Sequence, residues 1–163
     1  MVSGTALLAL LLGGLTAEPV WAQSARPDPA RTPGAINPTV TQETIGTTIC
    51  VRGWTRTVRP PEQYTYALKR QQVRKWGYAD RRLGHYEEDH LVALGIGGAP
   101  DDPRNLWPEP RESSDGWTAD RKDELESELN RLVCSGRLSL AAAQHAMAHD
   151  WIAAYRRYVS GAQ

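Results

Sequence analysis

The chain has 163 residues with 19 Lys plus Arg and 19 Asp plus Glu, so its formal net charge is zero; charged residues make up 23% and the hydrophobic class 40%. These are the proportions of an ordinary globular chain, and they exclude a collagen, a wholly disordered protein, a multi-span membrane protein and a uniformly basic nucleic-acid coat. The length suits one domain plus a short extra segment, large enough to bury roughly two-thirds of its unfolded surface.

Residues 1–22 hold no Lys or Arg and a single acid, Glu18, and positions 6–15 read ALLALLLGGL. Ten apolar residues are too few to span a bilayer, which takes about 20. The run fits the apolar region of a secretory signal peptide, cleaved after Ala22 behind Val20-Trp21-Ala22. Export to an oxidising compartment makes the two cysteines, Cys50 and Cys134, a disulfide. Residues 23–46 carry Pro27, Pro29, Pro33 and Pro38 among small residues; with no apolar period they read as a flexible tether. The domain then occupies 47–163.

Within it, the β-branched residues of 47–58 suggest a strand. Pro60-Pro61 sets up a helix start, and Tyr64, Leu68, Val73 and Trp76 give its approximate stripe, ended by Gly77. Residues 86–92 read as a short strand, 95–100 (GIGGAP) as a loop, and 105–107 as a second extended piece stopped by Pro108 and Pro110. Leu125, Leu129, Leu132 and Val133 mark one face of a helix, with Asp120, Asp123 and Glu124 at its positive end. Glu124, Glu126 and Glu128 read as a solvated face. A last helix, 139–159, starts at the N-cap Ser139. The order predicts an α+β domain, mostly helical.

The zero net charge hides an asymmetry. Residues 50–86 hold nine basic and two acidic side chains, and 87–130 hold four basic and thirteen acidic. The basic half, interleaved with Trp54, Tyr64, Tyr66 and Trp76, either tracks a polyanion or is neutralised by the acidic half within the fold.

Glu87-Glu88-Asp89-His90 packs three carboxylates and an imidazole into four positions. Such crowding favours a hard cation, and a His beside it can take a proton from water near neutral pH. Successive strand residues face opposite ways, so Asp89 and His90 can share a site only at a strand end. Asn105 offers a further oxygen beyond the glycine loop.

The run Tyr86-Glu87-Glu88-Asp89-His90-Leu91, then Gly97-Gly98, then Asn105-Leu106-Trp107, then a helix, resembles the HNH nucleases, the His-Me finger or ββα-metal fold. The resemblance covers residues 86–134. It implies an α+β fold with a ββα-metal core and flanking helices. It implies one divalent ion, Mg²⁺ or Mn²⁺, on Asp89 and Asn105, with His90 as general base in phosphodiester hydrolysis. The third motif His is missing. Asp120 or Asp123 could replace it as a ligand, or Lys122 could contact a phosphate or stabilise the transition state. Arg104, Arg74 and Lys75 are the expected substrate contacts. The partner implied is nucleic acid, DNA ahead of RNA. The alternative from another class is an exported, disulfide-linked module that binds a polyanion or a partner through a degenerate HNH-like site.

Overall fold

A computed structural model describes residues 24–113 and 115–162; the signal peptide expected at 1–22 lies outside the described residues. The chain forms α1 (Trp54–Val58), α2 (Glu62–Lys75), β1 (Tyr86–His90), β2 (Leu106–Pro110), α3 (Ala119–Cys134) and α4 (Leu140–Tyr158), with short 3₁₀ turns between them. It is an α+β protein, mostly helical, around one two-stranded antiparallel sheet. No helix among the described residues is long and apolar enough to cross a membrane.

β1 and β2 pair from Tyr86 opposite Pro110 to His90 opposite Leu106. The second strand runs through Pro108 and Pro110 instead of stopping at them. Proline lacks a ladder donor and is tolerated on an edge strand, and in a two-stranded sheet both strands are edges. α2 packs on one face of this hairpin: Gln72 Nε2 donates to Leu106 O at 3.0 Å and Lys69 Nζ to Tyr86 O at 2.9 Å. α3 belongs to the other face, where Lys122 meets Asp89.

The helix stripe read in α3 is the core. Leu125, Leu129 and Val133 are fully buried, against Ala143, Met147, Trp151 and Ile152 of α4 and against Trp107, Leu91 and Val92. Each such side chain stabilises the fold by about 1.5–3 kcal/mol. Thr118 caps α3 by accepting from Arg121 N, and Ser139 caps α4 by accepting from Ala142 N. α4 breaks at Asp150 (φ −158°, ψ 89°). There the Asp150 carboxylate accepts from Ile152 N and Ala153 N, both at 3.1 Å, so it acts as an N-cap for the last two turns.

Two sequence expectations change. Residues 47–58 form no strand: a 3₁₀ turn at Ile45–Thr47 leads to α1, which starts after Gly53 in a left-handed conformation (φ +85°). Residues 24–46 are not a free tether. Ala25, Thr32 and Val40 are buried. Trp151 Nε1 donates to Ala25 O at 2.8 Å, Leu140 N to Gln42 Oε1 at 2.8 Å, and Ile36 bridges Gly98. Prolines remove ladder donors but do not prevent a strap from lying down on α4 and the glycine loop.

The disulfide is formed between Cys50 and Cys134, with a Cα–Cα distance of 5.5 Å. It ties the segment before α1 to the last turn of α3.

Candidate active site at the end of the hairpin

The alternation along β1 divides the acidic run. Tyr86, Glu88 and His90 face α2; Glu87 and Asp89 face α3. The Asp89 carboxylate and the His90 ring therefore leave the strand on opposite faces.

His90 is 4% exposed. Its Nε2 lies 2.8 Å from Pro100 O. A carbonyl only accepts, so Nε2 carries the proton and Nδ1 holds the free lone pair. Nδ1 has no hydrogen-bond partner among the described residues. Burial holds the imidazole below its usual pKa, against the opposing pull of the Pro100 bond and the Asp89 charge; Arg59 and Lys122 push the same way as burial. The ring is therefore neutral at pH 7 and able to accept a proton.

Asn105 is fully buried, and its amide is consumed by backbone. Oδ1 accepts from Val92 N at 2.8 Å, while Nδ2 donates to Val92 O and Ala99 O, both at 3.0 Å. Asn105 is thus a staple that fixes the turn leaving β1, not a metal ligand. Gly98 is part of the same staple: a Cβ there would overlap Val92 O and come within 2.7 Å of Asn105 Nδ2.

Lys122 is also displaced from its expected role. It is completely buried and cannot reach a phosphate. Its Nζ donates to Asp89 Oδ2, to Glu126 Oε1 and, at 2.9 Å, to His90 O, with Glu109 Oε2 at 3.9 Å. Burial opposes its charge, but the Asp89, Glu126 and Glu109 carboxylates overcome burial and hold its pKa well above the usual lysine value. Burial and the Asp89 charge hold Glu109 well above the usual carboxylate range, against the pull of Lys122. The Lys122 charge and its hydrogen bond hold Asp89 below the usual range despite its burial.

The divalent ion implied by the HNH resemblance does not fit this arrangement. Asp89 Oδ2 already faces an ammonium, Asn105 is spent on backbone, and Asp120 is exposed in a depression with Arg131, Tyr158 and Val159 on the α4 side. No group of three or more His, Cys, Asp or Glu among the described residues is placed to hold a metal. Asp123, one turn from Asp120, is exposed, with its pKa raised by desolvation of the carboxyl and by the Asp89 charge. It does not complete a set.

The expected substrate contacts lie elsewhere. Arg104 is engaged by Asp102 at 2.6 Å. Arg74 and Lys75 sit exposed in the last turn of α2, whereas the first turn of α2 is the one near His90, since Tyr64 OH donates to Asp101 O at 2.6 Å.

Sequence reasoning missed three features. Arg59, which caps the end of α1, lies within electrostatic reach of His90. It lines a groove of about 440 Å³ with Arg52, Trp54, Thr55, Asn130 and Glu126, whose floor includes the disulfide. Glu109 and Glu126 join Asp89 around Lys122. The Lys122-to-Glu126 spacing of four residues was a legible signal for that pair; the proximity of Arg59 to His90 was not, because it arises from tertiary packing.

The charge asymmetry is not neutralised by direct pairing: among the described residues, no basic side chain of 50–86 forms an ion pair with an acid of 87–130. Comparison with protein-family models, with curated proteins and with solved structures finds no match to this chain.

Proposed function

We propose that the chain hydrolyses phosphodiester bonds of nucleic acid outside the cytoplasm, as an HNH-like domain whose β1, β2 and α3 form the ββα unit. The observation that carries this reading is His90: a neutral imidazole oriented by Pro100 O, within electrostatic reach of Arg59, which lines a groove together with Arg52 and Trp54. In this reading Nδ1 takes a proton from water, the water oxygen bonds to phosphorus, and the bond from phosphorus to the leaving oxygen breaks, that oxygen taking a proton from solvent. Arg59 and Arg52 offset the charge on the non-bridging oxygens, and Trp54 offers a stacking face for a base. The Cys50–Cys134 bond supports a working place in an oxidising compartment. The test is cleavage of plasmid DNA and of a structured RNA by the oxidised protein beside a folded His90→Ala variant. Cutting lost with His90 supports the reading, and its survival in the variant contradicts it.

One observation favours a second reading. Lys122 holds Asp89 in a closed ion cluster, as in a site kept for structure alone. The domain is then a polyanion-binding module that uses the same groove without cutting. Salt-dependent binding of nucleic acid by a folded protein that never cleaves it distinguishes this case.

A further inference from the structure

We infer that Lys122 is the resident cation of this hairpin–helix unit: its ammonium stands where a divalent ion would stand, and the domain neither binds nor requires a metal there. The oxygens it gathers are those a hard cation takes, carboxylates and a backbone carbonyl. They come from β1 (Asp89 Oδ2 and His90 O), from β2 (Glu109 Oε2) and from α3 (Glu126 Oε1), so one cation joins all three elements. An ammonium has three N–H groups, and Asp89, Glu126 and His90 O take one each. The side chain is 0% exposed and rises from the first turn of α3, whose start is fixed by the Thr118 cap. An ion at about 2.0–2.6 Å from the same oxygens would occupy the Nζ position.

The test reads metal binding and unfolding, not activity, so it stands apart from the fate of the hydrolase reading. Wild-type protein is titrated with Mn²⁺ under electron paramagnetic resonance, and its thermal midpoint is followed in EDTA, Mg²⁺ and Mn²⁺. The inference expects no bound-Mn²⁺ signal and a midpoint unchanged within about 1 °C. Two variants extend the test. Lys122→Ser vacates the position and leaves the acids facing one another. It should melt roughly 10 °C lower in EDTA and regain much of that loss with Mn²⁺. Lys122→Met fills the same space without charge and should show no metal rescue. Stoichiometric Mn²⁺ binding by the wild type, a wild-type midpoint that rises with metal, or a folded Lys122→Ser that takes up no Mn²⁺ would overturn the inference. If the serine variant does not fold, the wild-type titration decides by itself.

Discussion

At the scale of single residues, three buried polar groups behave differently because their surroundings do. Asn105 has every polar atom satisfied and holds the turn between β1 and the glycine loop. Asn105→Ala would leave Val92 N, Val92 O and Ala99 O without it in a sealed place, at a cost of about 2–4 kcal/mol, measurable by urea unfolding. Glu88 is the opposite case. Both of its carboxylate oxygens are buried without a partner, and burial pushes its pKa up to about 9 against the attraction of Lys69. The folded value lies above the unfolded one of 4.5, so the unfolded chain gives up this proton first as pH rises. The contribution to stability is full below that unfolded value and is lost as pH climbs through about 9. Glu88→Gln should raise the thermal midpoint at pH 8 and flatten the decline of stability between pH 5 and 9; a steeper decline would contradict this account. His90 lies between the two, with one ring nitrogen satisfied and the other without a partner among the described residues.

At the scale of elements, the sequence made much of the frame legible and less of the site. Of the 3.6-residue stripe Leu125, Leu129, Leu132 and Val133, all but the half-buried Leu132 are core, and the cap at Ser139 forms as read, because local rules decide both. The strand from Tyr86 was equally readable. Asp89 and His90 were rightly suspected of facing apart, since that follows from the pleat alone. What could not be read was which helix covers which face. That choice turns Lys122 from a phosphate contact into a buried cation and Glu126 from a solvated face into its partner. Arg59 is the element-scale prediction. It stands at the join of α1 and α2, within electrostatic reach of His90, and Arg59→Ala should weaken nucleic-acid binding about evenly across sequences and lower the slope of log affinity against log salt by about 1. Arg74→Ala, at the far end of α2, should leave both nearly unchanged. Equal effects would displace the groove as the binding place.

At the scale of the whole molecule, two long-range ties hold the site's walls together. The strap at 24–46 is fastened to α4 and to the glycine loop, and the disulfide fastens the Arg52–Trp54–Arg59 wall to α3. The two ties were not equally visible. Two lone cysteines behind a leader-like segment point to a disulfide, whereas the strap is held by scattered backbone contacts that leave no periodic trace. In the chain-entropy account a closed loop of this length stabilises by about 4–5 kcal/mol. Cys50→Ser should therefore lower stability by a comparable amount and reduce nucleic-acid binding more than overall helicity, read by parallel circular dichroism and filter binding. Binding unchanged after reduction would show that the wall holds without the bond.

The central claim is that His90 acts as the general base, and the most direct measurement is cleavage of supercoiled plasmid by the oxidised protein, with and without EDTA, beside a His90→Ala variant shown to be folded. The account predicts nicking that persists in EDTA, since Lys122 is the resident cation, and that falls at least 10²-fold on loss of the imidazole. Absence of nicking by a folded, nucleic-acid-binding protein, or nicking indifferent to His90, would contradict it.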